Sequence, residues 1–320
     1  MMRRFWKLAT LVAMMVLAIC VFDGFASKCG GAVTSRWADD GTATTLKRQL
    51  PTDPPYRVTR KYGVTFRPLP QRDLKCDLYL PEGEGPFPGV LVIHGGAWAW
   101  GSKSHYVHHA RKICEQGYVV MAINYRLAPT HPFPAQVLDS QYAVRWLRHH
   151  AAEYRVDRQR IAAFGYSAGG HLACLLGTAD DSQFVDLDLP EELARHSPKV
   201  SVVVAGGAVC DFDWIPESSH KLAYWMGGTR DKLPLTYRQA SPRHHITAGD
   251  AAFFLYHGTR DQVVPFDCSR RMHEALLKAG CHSELHDLEN YEHFQGFLDR
   301  AIIDDAIEFL KRQWPDPQNP

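Results

Sequence analysis

The chain has no excess of charge of either sign and no internal repeat. Its 36 Lys and Arg residues are balanced by 35 Asp and Glu residues, which gives a formal net charge of +1 at pH 7. Proteins that bind nucleic acids or anionic surfaces usually present a strong basic excess. The balance therefore indicates no nucleic-acid partner, and a small molecule is the expected ligand.

A hydrophobic run long enough to span a bilayer is also missing. The apolar run from Leu8 to Phe22 has 15 residues, fewer than the roughly 20 that a transmembrane helix needs. Basic residues precede it and the small-x-small sequence Gly24-Phe25-Ala26 follows it, as in a secretory leader. The pattern predicts a signal peptide over residues 1–26, export to the periplasm or the extracellular space, and no stable membrane insertion after cleavage. Retention of the leader as a membrane anchor is the second possibility.

Cysteine is too sparse for a disulfide scaffold. Of the eight cysteines, Cys20 lies in the predicted leader. The remaining seven are an odd number and are scattered along the rest of a long chain, unlike the cysteines of a small disulfide-rich protein. Cys268 and Cys281 are a candidate bridge. Among the 17 histidines, His105 and His109 share i, i+4 spacing, but no cysteine or carboxylate in register completes a metal site. We therefore interpret them as solvated residues and expect neither metal nor cofactor.

Residues 27–55 are polar and end in several prolines, which indicates a flexible linker. Residues 56–314 alternate apolar strands with helical segments, and hydrophobic residues make up 45% of the chain, enough for one large core. This order predicts an α/β domain with a mostly parallel central sheet and helices on both faces, in which ligands bind at the carboxyl ends of the strands. The predicted strands are 56–66 and 74–80 as an edge hairpin, then 90–93, 118–123, 161–164, 200–205, 253–256 and 283–288; the predicted helices are 103–116, 135–154, 168–176, 269–279 and 294–314.

The pattern Gly-x-Ser-x-Gly occurs at Gly165-Tyr166-Ser167-Ala168-Gly169, between an apolar strand and a helix-compatible segment. Strand, sharp turn and helix are the context of a nucleophile elbow, which holds a serine hydroxyl clear of the sheet. Gly165 and Gly169 are needed because a β-carbon would collide with the neighbouring strand or helix. By composition alone the pattern occurs in about one chain in ten of this length, so it predicts a nucleophile only together with the other catalytic groups.

The sequence His94-Gly95-Gly96-Ala97-Trp98 follows the strand 90–93 directly. A glycine-rich loop at this place, well before the serine, turns backbone N–H groups toward the oxyanion of an ester. We expect the N–H groups of Gly96, Ala97 and Ala168 to form the oxyanion hole, supported by the remaining loop residues His94, Gly95 and Trp98.

An acid and a base are expected after the serine. Asp261 follows the strand 253–256 and is predicted to orient the histidine and stabilise the imidazolium. His293 lies between the last strand and the last helix and is predicted to be the general base. The rival candidates are Asp211 and Asp213 for the acid, and His257 and His286 for the base.

Together these motifs resemble a known family. The His-Gly-Gly loop with Trp98, the segments 124–129 and 132–135, the Gly-Tyr-Ser-Ala-Gly-Gly elbow and the segment 257–261 look like the α/β-hydrolases of the carboxylesterase and hormone-sensitive-lipase-like group, and most of all its bacterial esterases. The resemblance extends over residues 56–310. It implies the α/β-hydrolase fold, the triad Ser167, Asp261 and His293, and hydrolysis of small-molecule esters through an acyl-enzyme.

Two departures from that group leave the substrate open. The third glycine of its His-Gly-Gly-Gly loop is Ala97 here, so the loop is similar to the His-Gly-Gly-x-Trp of arylformamidases, and its amino-terminal helical cap is missing. An arylformamidase-like amide hydrolase, or a serine peptidase of this fold, is therefore the second hypothesis, and a catalytically dead secreted binding protein is the non-enzyme hypothesis. Because 27–55 is too polar for a lid and 211–250 brings bulky aromatic residues toward the serine, we expect short acyl chains.

Overall fold

The computed structural model describes residues 54–314, and the predicted signal peptide and nearly all of the predicted linker lie outside the described residues. Eight strands form the central sheet: β1 (Val58–Arg67), β2 (Leu74–Pro81), β3 (Phe87–Ile93), β4 (Val119–Ile123), β5 (Val156–Tyr166), β6 (Val202–Gly206), β7 (Ala252–Gly258) and β8 (Ser283–Leu288). Their spatial order is β1-β2-β4-β3-β5-β6-β7-β8. β2 pairs antiparallel with both of its neighbours, and every other pair is parallel.

Helices cover both faces of the sheet. They are α1 (Val107–Cys114), α2 (Ala135–His149), α3 (Ala151–Tyr154), α4 (Ala168–Thr178), α5 (Glu191–Ala194), α6 (Ala223–Met226), α7 (Pro234–Gln239), α8 (Asp267–Lys278), α9 (His293–Leu298) and α10 (Ala301–Gln313), with short 3₁₀ turns at Lys103–Tyr106, Asp181–Gln183 and Pro242–His245. α1 and α10 pack on one face, and α2, α4 and α8 pack on the other. Both faces are thus buried, which explains why the central strands are continuous apolar runs such as the Val-Val-Met-Ala-Ile of β4. The predicted fold is confirmed.

Two predicted helices are interrupted in the structure. The segment 135–154 divides into α2 and α3 at His150, and the left-handed Arg155 then ends α3 before β5. The segment 294–314 divides at Asp299, whose backbone is extended and whose Oδ1 accepts a hydrogen bond from the N–H of Ala301 at 2.7 Å. An aspartate that accepts from the first N–H groups of a helix favours a new helix start.

The described residues contradict two further expectations from the sequence. The thiols of Cys268 and Cys281 are free and buried, so the candidate bridge is not formed. His109 is buried and stacks on Phe297 with ring centroids 5.3 Å apart, so its interpretation as a solvated residue is wrong. No helix between residues 54 and 314 has the length and apolarity required to cross a membrane.

The strand register gathers the predicted site at one edge of the sheet. Ile93 of β3 lies opposite Gly165 of β5, and Gly258 of β7 lies opposite Leu288 of β8. Because these strands are parallel, the loops that follow them emerge at the same edge. The Gly-rich loop, the elbow, the acid and the histidine therefore converge there.

Candidate active site

Ser167, His293 and Asp261 form a continuous chain of hydrogen bonds. Ser167 Oγ lies 2.9 Å from His293 Nε2, and His293 Nδ1 lies 2.5 Å from Asp261 Oδ2. Because Nδ1 faces a carboxylate, it carries the ring proton, and the lone pair on Nε2 accepts from the serine hydroxyl. The arrangement can take a proton from Ser167 and return it to a leaving group.

The local backbone explains how Ser167 is presented. It lies between β5 and α4 with φ 58° and ψ −122°, a strained conformation, and its N–H donates to Gly206 O at 2.8 Å. The elbow approaches its neighbours closely: a β-carbon on Gly169 would lie 2.1 Å from Ile93 O, and one on Gly165 would lie 2.4 Å from the Gly169 backbone. Any larger residue at these two positions would displace the elbow from the sheet.

His293 is held at the first position of α9. The side chain of Glu292 accepts from the backbone of Gln295, whose own side chain accepts from the N–H of Glu292 at 2.7 Å, which completes a capping box. The Tyr166 hydroxyl donates to His293 O at 2.7 Å. These contacts fix the backbone that carries the imidazole, and only 6% of His293 is exposed.

Asp261 is buried, and both of its oxygens accept hydrogen bonds. Oδ1 accepts from the N–H groups of Val263 and Val264, each at 2.8 Å, and Oδ2 accepts from His293 and, at 3.1 Å, from His257. Burial alone would raise the pKa of Asp261, but the hydrogen bonds from His257 and His293 and the backbone donors hold it well below its usual range. The carboxylate is therefore ionised at any ordinary pH.

His257, a rival candidate for the base, contacts the acid instead of the serine. Its Nε2 lies 3.1 Å from Asp261 Oδ2 and 3.0 Å from Val264 O, and its Nδ1 lies 2.7 Å from Ser269 Oγ. Both partners of Nε2 are acceptors, so Nε2 carries the proton and donates it. The sequence analysis did not predict this hydrogen bond from His257 to Asp261, although the two residues are only four positions apart.

Asp211, Asp213 and His286 also have partners away from the serine. Asp211 Oδ2 lies 2.8 Å from Arg243 Nε, and its Oδ1 lies 3.0 Å from a terminal nitrogen of Arg271. Asp213 pairs with the same Arg243, and His286 Nε2 lies 3.4 Å from Glu284. The structure therefore brings only Asp261 and His293 into line with Ser167.

The Gly-rich loop presents free backbone donors. Within residues 54–314, the N–H groups of Gly96, Ala97 and Ala168 donate to no protein acceptor. Gly96, Ala97 and Trp98 have φ values of 116°, 48° and 58°, so three consecutive residues adopt left-handed backbone. A β-carbon on Gly96 would lie 2.2 Å from Trp100 O, which explains the glycine there. The loop and the first residue of α4 together can supply the oxyanion donors that the sequence predicts.

Buried aromatic side chains support this loop from below. The Trp98 indole N–H donates to His171 Nδ1 at 3.2 Å, and its ring stacks on Trp225 at a centroid distance of 3.6 Å. His94 donates through Nδ1 to Gly95 O at 2.7 Å and stacks on Tyr125. Burial lowers the pKa of both His94 and His171 to about 4, so both rings are neutral at neutral pH. Only a neutral His171 can accept from Trp98.

Comparison with known proteins agrees with the fold. Residues 76–276 match the BD-FAE family. The chain belongs to the BD-FAE family. Esterase LipC of Mycobacterium tuberculosis is 34% identical over 201 residues, which cover 60% of this chain and 48% of that protein. The alignment with a second relative, the probable carboxylic ester hydrolase LipM of the same organism, covers 44% of that protein. This BD-FAE chain thus spans about half the length of the curated relatives it matches.

Solved structures show the same architecture. An esterase of Thermogutta terrifontis, Est2, is 29% identical with a TM-score of 0.68, and the alignment covers 83% of this chain and 98% of Est2. A truncated carbohydrate esterase from gut microbiota has a TM-score of 0.73 at 24% identity over 82% of this chain and 98% of its own, which shows the fold. The resemblance to α/β-hydrolases of the carboxylesterase group is thereby confirmed.

Proposed function

We propose that this BD-FAE protein is a serine carboxylic ester hydrolase that acts on small-molecule esters. The observation that carries the proposal is the hydrogen-bonded chain Ser167, His293 and Asp261 beside three backbone N–H groups without an acceptor in the described part of the chain. The names of similar proteins, among them esterases of Mycobacterium tuberculosis, support the same reaction class.

The proposed reaction has two halves. Ser167 Oγ attacks the ester carbonyl while His293 Nε2 accepts its proton, and the carbonyl oxygen becomes an oxyanion that accepts from Gly96, Ala97 and Ala168. The oxyanion collapses, the alcohol leaves with the proton from His293, and an acyl-enzyme forms on Ser167. Water then attacks the acyl group by the same route, the acid is released, and Ser167 regains its proton. Loss of one oxyanion donor in such a site costs about 3 kcal/mol of transition-state stabilisation.

The aromatic residues of the segment 211–250 and the ligands of a similar esterase bear on the size of the acyl group. Of the aromatic residues in the segment 211–250, Trp225 and Tyr237 are buried in the core, whereas the half-buried Tyr224 contacts Ala97 at the oxyanion loop. Esterase Est2 of Thermogutta terrifontis has been solved with butyrate and with propionate bound. We therefore propose a short acyl site.

A series of p-nitrophenyl esters tests the activity and the acyl size together. We expect kcat/KM for acetate to butyrate to exceed that for decanoate by about tenfold or more, because a long chain that finds no apolar groove gains nothing of the roughly 0.8 kcal/mol per buried methylene. The matched p-nitroanilide and an aryl formamide measure the amide hypothesis in the same assay. An optimum at decanoate or longer would contradict the short site, and no turnover of any ester would contradict the esterase.

We also propose that the protein is exported and cleaved after Ala26. The basic residues before the apolar run and the small-x-small sequence after it support this proposal. Amino-terminal sequencing of the protein from the periplasm or culture medium is expected to begin near Ser27. Intact Met1 on membrane-bound protein would replace cleavage with anchoring.

A further inference from the structure

Each of the five carbonyl groups from His94 to Trp98 has a hydrogen-bond donor. The donors are the Tyr125 hydroxyl for His94 O, His94 Nδ1 for Gly95 O, the N–H groups of Ala99 and Trp100 for Gly96 O, the Tyr224 hydroxyl for Ala97 O, and the N–H of Ala128 for Trp98 O. The loop is thus fixed through its carbonyl oxygens, while the N–H groups of Gly96 and Ala97 stay free for a ligand.

Tyr224 differs from the other donors in its origin. It lies on α6, in the segment 211–250 that follows β6, and its hydroxyl is 2.7 Å from Ala97 O across 127 residues of sequence. Ala97 is exposed at the site and Tyr224 is half-buried beside it. Burial raises the pKa of Tyr224 to about 12, so the phenol stays protonated and donates to the carbonyl.

The residue that accepts the Tyr224 hydrogen bond lies in a strained part of the backbone. Ala97 and Trp98 are consecutive non-glycine residues with φ of 48° and 58°, and left-handed backbone costs about 1–2 kcal/mol for each such residue. Rotation about the N–Cα bond of Ala97 would relieve the strain at its φ, and it would turn the Ala97 carbonyl relative to the Gly96–Ala97 peptide plane, which carries the N–H of Ala97. The Tyr224 hydroxyl opposes this rotation because it would lose its acceptor.

We propose that Tyr224 is a positioning residue that holds the Ala97 carbonyl, and with it the φ of Ala97, so that the N–H of Ala97 stays aimed at the oxyanion. This inference rests on the proposed esterase function and extends it to the segment 211–250. The segment then contributes one residue, Tyr224, to the support of the oxyanion loop. Tyr224 acts through the loop, since the oxyanion itself accepts only from backbone.

Tyr224→Phe tests the proposal, with Tyr237→Phe as the matched control. Tyr237 lies in the same segment, and its hydroxyl donates to Gly228 O at 3.1 Å, away from the oxyanion loop. For Tyr224→Phe we expect kcat to fall about tenfold with KM within about twofold, less than the roughly 100-fold of a deleted oxyanion donor because the donors remain but are less well aimed. Affinity for a trifluoromethyl ketone, which forms a tetrahedral adduct with the serine, should fall by the same factor as kcat/KM. Tyr237→Phe should leave all three quantities at the wild-type value.

Several results would overturn the proposal. Equal effects of the two variants would show that Tyr224 only stabilises the fold, as would a kcat of Tyr224→Phe within about twofold of wild type. A loss that differs strongly between acetate and butyrate esters would show that the phenol contacts the substrate instead of the loop. If wild-type protein neither turns over any ester nor reacts with a fluorophosphonate, the proposed function fails and this inference fails with it; active wild type with an unaffected Tyr224→Phe overturns this inference alone.

Discussion

Replacement of Ser167 by alanine is expected to lower kcat for p-nitrophenyl acetate by about 10⁵–10⁶-fold, as in serine hydrolases that lose their nucleophile. The hydroxyl has one described partner, His293 Nε2, and alanine keeps the backbone of the elbow unchanged. The substitution therefore removes the acyl-enzyme route while the oxyanion donors and the fold remain. Steady-state kinetics and a thermal melt of the same preparation measure both expectations.

Ser241→Ala is the matched control for this substitution. Ser241 is buried, and its Oγ donates to Tyr237 O at 2.8 Å. The alanine variant therefore loses one buried hydrogen bond, and that bond does not involve Ser167, Asp261 or His293. We expect its kcat to equal that of the wild type. A folded Ser167→Ala protein that keeps more than about 1% of wild-type kcat would exceed the residual rate that binding and oxyanion donors supply, and Ser167 would not be the nucleophile.

Asp261→Asn is expected to lower kcat by about 10⁴-fold, the loss found where the acid of such a triad becomes an amide. The N–H groups of Val263 and Val264 both require an acceptor at Oδ1. The asparagine oxygen must take that place, which turns its amide NH₂ toward His293 Nδ1. His293 then carries its proton on Nε2, and Nε2 no longer accepts from Ser167.

The activity of Asp261→Asn should stay low over the whole pH range of the assay. The pKa of Asp261 lies well below its usual range, so the wild-type carboxylate is ionised at every pH of the assay. Asparagine has no group that ionises in this range, so higher pH cannot replace the missing carboxylate and should not restore the activity of Asp261→Asn. Asp213→Asn, at an exposed aspartate that pairs with Arg243, is the control and should be fully active. A larger loss in Asp213→Asn than in Asp261→Asn would contradict the assignment of the acid.

The sequence predicted the sheet, and it pointed to the three side chains that the structure joins by hydrogen bonds, because both depend on local patterns. Continuous apolar runs marked the buried strands, and each functional motif directly followed one of them. Parallel strands then place all such motifs at one edge, which is why Ser167, Asp261 and His293 could be chosen without coordinates. Only the order of the three residues along the chain, serine before aspartate before histidine, was used to choose them; the number of residues between them was not.

The parts that the sequence did not predict depend on contacts between distant segments. The stack of Trp98 on Trp225, the acceptor that His171 offers to Trp98 and the bond from Tyr224 to Ala97 join the oxyanion loop to residues over 70 or 120 positions away. No periodicity or motif specifies such pairs. The break of the last helix at Asp299 was missed because the apolar spacing continues through it, and the turn before α10 depends on the one side chain of Asp299, which accepts from the N–H of Ala301.

Mass spectrometry of the protein after reaction with a fluorophosphonate tests the nucleophile most directly. The reagent phosphonylates a serine only where a base has activated it, and here we expect a single adduct on the tryptic peptide that contains Ser167. The reaction should be absent in Ser167→Ala and much slower in His293→Ala, where Oγ loses its acceptor. An adduct on another residue, or labelling of Ser167→Ala at the wild-type rate, would contradict a Ser167 nucleophile activated by His293.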